Sequence, residues 1–376
     1  MNGIIDFNYF EKVRVKLSTR ADNSYNIIIA KNLFPALARS ISRDNFGSRY
    51  CIITDSNVAK IFGNRLLKQF NGLGIKCDLI SFPAGEKSKN LKTAGKILEK
   101  MASIGLDRKS CVIALGGGVA GDIAGFAAAI YLRGINFVQV PTTLLAMADS
   151  GIGGKTGVNL GAGKNLCGSF HQPKKVYMCT EALSTLQKRE MRNGLAEVVK
   201  HAVIFDRDFF GFIEQNLERV MSLEDGIIVK LVKRNCELKS KVVEMDEKES
   251  NLRKALNFGH TIGHAVEALG NYKKYSHGQA VSIGMACEAQ IARGIGIMPE
   301  RDAGRIRALL QKIGLPVRLE YGAQETLEAA RSDKKADGGK LHYALAKSIG
   351  RMHTEGGKFA VHVDDGIVKK VLEGCR

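Results

Sequence analysis

The chain has 376 residues, 45% of them hydrophobic and 7% aromatic, with no Trp. That length favours two domains over one. No apolar run is long enough to span a membrane, and the first 17 residues carry Asp6, Glu11, Lys12 and Arg14 in place of a signal-peptide core, so a cytoplasmic protein with no membrane partner is expected. The formal net charge is +18, spread along the chain without a basic tail. No helix-turn-helix, finger or RNP pattern accompanies it, so solvated lysines together with a cleft for an anionic small molecule are expected rather than a nucleic-acid partner, although charge alone does not decide between them. The eight cysteines contain no C-x-x-C pair, which argues against a zinc ribbon or a redox motif and for reduced, packed thiols.

In chain order, residues 14–17 and 25–30 read as strands, and 50–54 as a short apolar strand ending at Asp55. Residues 61–70 are amphipathic, 77–82 strand-like, 91–101 helical and 110–115 a buried strand. The alternation predicts an α/β domain with a mainly parallel sheet. Beyond about residue 183 the apolar period becomes 3.6, and 189–205, 226–244 and 278–294 read as helices. The expected division is therefore 1–182, α/β, and 183–376, mostly α-helical, with a ligand cleft between the two.

The strand at 110–115 runs into Gly116-Gly117-Gly118-Val119-Ala120-Gly121-Asp122, and a small-residue helix is expected over 123–132. Strand, glycine turn and helix N-terminus form an anion site, because free N–H groups and the helix dipole favour phosphate. Gly116, Gly118 and Gly121 match G-x-G-x-x-G, but the acid expected about twenty residues later in a dinucleotide fold is missing. The arrangement is thus Rossmann-like and non-standard; Asp55, ending an earlier strand, is an alternative ribose partner, and a turn that merely packs on the sheet is the plain alternative.

Gly154-Lys155-Thr156 invites a P-loop reading, which requires Gly where this chain has Asp149, and Lys164 is followed by Asn165 rather than Ser or Thr. Two lysines in glycine-rich backbone still suit phosphate. Further on, His260 and His264 stand four apart on one helical face, and His277 follows after a polar loop. With Glu197 upstream, this set can hold a divalent ion, or the histidines can be core residues.

Together these segments resemble the 3-dehydroquinate synthase branch of the sugar phosphate cyclase family. The resemblance runs through P-A-G-E-K-S-K at 83–89, G-G-G-V-A-G-D, Y-L-R-G, V-P-T-T-L-L-A-M-A-D-S, G-G-K-T-G-V-N, G-K-N, G-L-A-E-V-V-K, L-R-K-A-L-N-F-G-H-T-I-G-H-A, H-G-Q-A-V and D-K-K, in order, as far as residue 335. It implies a lyase using NAD and a divalent metal, zinc or cobalt. The implied reaction turns 3-deoxy-D-arabino-heptulosonate 7-phosphate into 3-dehydroquinate and phosphate by transient oxidation, β-elimination, reduction and aldol closure, in the shikimate route.

By the same resemblance, Glu197, His260 and His277 hold the metal. NAD is assigned to Gly117, Gly118, Val119, Asp55, Asn57, Glu86, Lys89, Asp122, Thr142, Thr143, Lys164 and Thr185. The substrate phosphate is assigned to Lys155, Asn165, Asn257, His264, Lys334 and Lys335, the carboxylate to Arg253 and Lys239, and the hydroxyls to Asp149, Lys200 and Glu249. Arg133 matches an arginine that reaches the neighbouring subunit's site, which implies a homodimer. Gln279 stands where the family commonly has Glu, removing a charge beside the metal. A sister cyclase, such as an aminodehydroquinate synthase, and an NAD- and metal-dependent polyol dehydrogenase are the alternatives.

Overall fold

Residues 23–333 and 340–376 are described by the computed structural model; the expected strand at 14–17, Lys334 and Lys335 lie outside the described residues. The first part runs β1 (Asn26–Ala30), α1 (Leu37–Arg43), β2 (Tyr50–Asp55), α2 (Ser56–Val58), α3 (Asn64–Gly72), β3 (Cys77–Phe82), α4 (Leu91–Ser103), β4 (Cys111–Gly116), α5 (Gly118–Ile130), β5 (Asn136–Pro141), β6 (Lys155–Leu160), β7 (Gly163–Phe170) and β8 (Lys175–Cys179). Six strands form one sheet in the order β1-β8-β5-β4-β2-β3, and every neighbouring pair is parallel. Residues 111–116 are all buried, as a parallel strand covered on both faces requires. One face packs on Leu37, Leu66 and Phe70 of α1 and α3. The other packs on Ile97 and Met101 of α4 and Ile123 and Phe126 of α5.

Two of the sequence expectations shift at their edges. The helix expected at 61–70 divides into a π-helical turn, Ala59–Gly63, and α3. The helix after the glycine turn starts at Gly118, five residues early, and its glycines let it pack closely on the sheet and on the hairpin: an added Cβ would stand 2.9 Å from Gln139 Oε1 of β5 at Gly121 and 2.5 Å from Thr156 Cγ2 of β6 at Gly125. Gly154-Lys155-Thr156 opens β6 of an antiparallel hairpin with β7, not a helix, so the P-loop reading fails on structure as well as on spacing.

The second part is α6 (Lys188–Phe205), α7 (Arg207–Met221), α8 (Asp225–Met245), α9 (His260–Leu269), α10 (His277–Gly294), α11 (Glu300–Ile313), α12 (Ala323–Asp333), the short strands β9 (His342–Tyr343), β10 (Ala346–Ser348), β11 (Arg351–Met352) and β12 (Val361–His362), and α13 (Asp365–Gly374). One apolar cluster runs through these helices and reaches Leu144, Met147 and Val176 of the sheet part, so the two layers are docked. Helix α6 sits at the centre of this cluster, with 13 of its 18 residues buried. It has no polar face, and its Glu197, Lys200 and His201 are therefore carried into the interior.

Candidate active site

The carboxyl ends of β2, β4 and β5 lie side by side, which puts Asp55, Gly116–Gly117 and Thr142–Thr143 along one edge of the sheet. This is where open α/β sheets bind ligands. No side chain caps the N-terminus of α5, so its first N–H groups remain available for an anion. Asp55 caps α2 by accepting from Asn57 N at 2.9 Å and Val58 N at 3.1 Å. Glu86 accepts from Asn159 Nδ2 at 2.7 Å. The side chain of Thr143 accepts from Ala146 N at 3.1 Å. Thr185 is exposed, in the turn after β8, and donates to Ala182 O.

Three helices bring the metal candidates together, and backbone contact at glycine sets their spacing. A Cβ at Gly278 would come within 2.3 Å of Asn193 O, and one at Gly284 within 1.9 Å of Gly259 O. Only glycine permits α10 to lie that close to α6 and to the start of α9. The N-terminus of α9 has no capping side chain of its own; the buried Glu288 of α10 accepts from Gly259 N at 2.7 Å and Ile262 N at 3.1 Å. That fixes the start of α9, and with it His260.

The result is a convergent set. Glu197 Oε1 lies 3.3 Å from His277 Nε2 and 3.6 Å from His260 Nε2, and the three ligand atoms stand within 4.8 Å of one another. His260 Nδ1 lies 3.2 Å from Phe258 O. Donating there makes Nδ1 the protonated nitrogen and leaves the Nε2 lone pair facing Glu197. Both Glu197 oxygens are fully buried, and neither accepts a hydrogen bond of normal geometry; Lys200 forms an ion pair with Oε2. Burial opposes ionisation of Glu197, but Lys200, His277 and His260 outweigh it and hold its pKa well below the ordinary carboxylate value. Burial also opposes protonation of His277, yet Glu197 and Glu267 raise it to about 10. Two imidazoles and a carboxylate with unfilled oxygens are the donor set of zinc and similar divalent ions, which would displace that proton.

Around this set the contacts close into a ring that starts and ends on α5. Ser150 packs on Gly118, where a Cβ would approach its Oγ to 3.0 Å. Asp149 accepts from Lys239 Nζ at 2.5 Å and faces His201 Nε2 at 3.9 Å. His201 and Glu197 stand one turn apart on α6. His277 Nδ1 lies 3.7 Å from Glu267 Oε1, to which Lys164 Nζ donates at 3.0 Å. Asn165 accepts from Lys89, which pairs with Asp122 Oδ2 at 2.6 Å on α5. Desolvation raises the Asp122 pKa against the pull of Lys89.

Other residues singled out in the sequence flank this ring. Lys155 pairs with Glu249. Arg253 is buried, and its guanidinium donates to Gly153 O and, at 2.6 Å, to Glu247 O, so part of its fork is already engaged. Asn257 ends the turn Leu252–Asn257 just before α9. His264 lies beside His260, ring centroids 5.3 Å apart. Arg133 is exposed beyond the opposite end of α5, roughly 20 Å from the glycine turn by helical rise. Sequence reasoning gave no site role to Glu267, Glu288 or His201, nor to Asn235, whose Oδ1 lies 2.8 Å from His201 Nδ1. Glu267 had a visible signal, standing seven residues after His260 on the same helical face. Asn235 and Glu288 come from α8 and α10 and had none.

Family profiles described as 3-dehydroquinate synthase N-terminal and C-terminal match residues 79–193 and 194–336. The chain belongs to the 3-dehydroquinate synthase family. A relative in this family, the 3-dehydroquinate synthase of Caldanaerobacter subterraneus subsp. tengcongensis, is 46% identical over 365 residues, covering 96% of this chain and all of its own length. Among solved structures, 2-epi-5-epi-valiolone synthase from Streptomyces hygroscopicus subsp. jinggangensis, with NAD+ and Zn2+ bound, is 29% identical with a TM-score of 0.87, covering 96% of this chain and 99% of that one. A 2-deoxy-scyllo-inosose synthase complexed with carbaglucose-6-phosphate, NAD+ and Co2+ is also 29% identical, with a TM-score of 0.84 over 93% of this chain and 96% of that one. The fold of this family member is therefore shared with cyclases of two other names, 2-epi-5-epi-valiolone synthase and 2-deoxy-scyllo-inosose synthase, and function rests on the site rather than on the architecture.

Proposed function

We propose that this chain is a 3-dehydroquinate synthase, a phosphate-eliminating lyase that closes a seven-carbon keto-acid phosphate into a carbocycle with no net redox change. The observation that carries the reading is the buried Glu197 Oε1, which accepts no hydrogen bond and on which two imidazole nitrogens converge at 3.3 and 3.6 Å, while Lys200 pairs with Oε2. A divalent ion, zinc or cobalt, held by Glu197, His260 and His277 supplies Lewis-acid polarisation of substrate hydroxyls. NAD, over the α5 N-terminus and the strand ends of residues 1–182, supplies a reversible hydride acceptor.

The remaining work belongs to side chains. Lys239 grips Asp149 through both its carboxylate and its backbone carbonyl, which fixes that carboxylate toward the substrate hydroxyls. Lys200 neutralises Glu197 and stands ready to contact the same hydroxyls. Lys155, Asn165, Asn257 and His264 line the side where a phosphate dianion gains most from cationic and amide donors. Arg253 offers the planar cationic donors that a carboxylate needs, and Lys239 adds a second positive charge. The helical part, residues 183–376, thus holds metal and substrate against the cofactor half. In a homodimer, Arg133 completes the neighbouring site, and the protein works in the cytoplasm on an anionic sugar phosphate.

The test is incubation of zinc-loaded protein with NAD and 3-deoxy-D-arabino-heptulosonate 7-phosphate. Phosphate release with carbocycle formation and no accumulated NADH is expected. Zinc and NAD binding without turnover would move the assignment to an amino-substituted or uncarboxylated sugar phosphate.

A further inference from the structure

We propose that Glu267 is a positioning residue for the metal centre, orienting His277 through Nδ1, and that Lys164 anchors it from the sheet side. The inference rests on reading Glu197, His260 and His277 as the metal set.

Helix α9 carries His260 and Glu267 on one face, two turns apart. Glu267 is only 4% exposed, and a buried carboxylate needs partners. The contacts at Oε1 are His277 Nδ1 at 3.7 Å and Lys164 Nζ at 3.0 Å. The other nitrogen of the same imidazole, Nε2, points at Glu197 Oε1 from 3.3 Å. His277 is therefore held between two carboxylates, one on each ring nitrogen. The Glu267 charge beside Nδ1 favours a proton on that nitrogen and leaves Nε2 for a cation, and turning the ring would give up both contacts.

Lys164 makes this arrangement depend on the other layer. It lies on β7, in the hairpin packed against α5, and its ammonium also sits 4.6 Å from the centre of the Tyr272 ring. Glu267 is thus fixed by α9 on one side and by the hairpin on the other. Zinc affinity becomes sensitive to a lysine that touches no metal ligand.

The experiment measures zinc affinity by chelator competition, without substrate or NAD, for the full chain, Glu267→Gln and Lys164→Met. Glu267→Gln keeps the shape and removes the charge; it should weaken zinc binding about 10- to 100-fold. Lys164→Met should weaken it less, in the same direction. The Co2+-substituted proteins should show altered d–d absorption in both variants, a readout that a purely structural role would leave alone. Unchanged affinity and spectrum in a folded Glu267→Gln protein overturn the proposal. If that variant fails to fold, unchanged affinity in Lys164→Met overturns it instead. Absence of zinc binding in the unaltered chain would sink the metal reading itself, a distinct outcome.

Discussion

Truncating His277 to Ala removes one of the two nitrogens converging on Glu197 and leaves that buried carboxylate with His260 and Lys200. Bound zinc, measured by elemental analysis, should fall at least ~100-fold in affinity, and turnover with it; full activity without metal would refute the assignment. His201 gives a second residue-scale expectation. Its Nδ1 stands 2.8 Å from Asn235 Oδ1, and that amide donates its own Nδ2 to Ala148 O at 2.8 Å. The amide is thereby oriented, and His201 is neutral with its proton on Nδ1. Burial, helped by the charge of Lys200, lowers its pKa from the ordinary 6.5 to about 4. The unfolded chain takes up a proton between those values and the folded chain does not. The stability that this histidine contributes is complete above about pH 6.5 and is lost as pH falls through about 4, roughly 3 kcal/mol in all. Urea denaturation at pH 7 and pH 4.5 measures it, and His201→Asn should flatten that part of the slope. An equal slope in the variant would show the histidine to be irrelevant.

At the scale of elements, the close approach of α10 to its neighbours decides whether a metal site exists. Gly284→Ala would force a Cβ into Gly259 O and push α10 off α9. A loss of about 3 kcal/mol is expected, from overpacking against backbone that cannot yield, with weaker zinc binding as the helices part. Thermal unfolding and metal titration of one sample check both. Gln279, where the family commonly has Glu, has a structural explanation here. Ser276 and Gln279 form a capping box at the start of α10, with Ser276 N donating to Gln279 Oε1 at 2.9 Å. A capping box accepts either residue. Gln279→Glu should therefore add about 0.3–1 kcal/mol through the helix dipole and leave zinc affinity as it is. A tenfold gain in affinity would instead mark Gln279 as a weakened support of the metal.

At the scale of the whole molecule, Arg133 lies beyond the end of α5 remote from its own glycine turn, so the proposed service of Arg133 to an active site would call for a second copy. Arg133→Ala and His277→Ala proteins should each be inactive alone. Mixed and allowed to exchange subunits, they should regain up to about a quarter of the activity, because one site of each hybrid dimer has both residues. No recovery after proven exchange would end the shared-site reading. The sequence by itself determined the α/β-then-helical order, because apolar runs at β2 and β4 and the 3.6 period of α6, α8 and α10 are local signals of burial. It also marked His260, His264, His277 and Glu197 as residues able to hold a divalent ion, and the family resemblance narrowed that set to Glu197, His260 and His277. Tertiary structure alone decided that α6 is buried around most of its surface, that Glu288 of α10 caps α9, and that Lys164 reaches Glu267. Those contacts join residues from about 30 to more than 100 positions apart, and no local pattern encodes them. They depend on how closely helices approach at Gly278 and Gly284, which packing of the entire chain settles.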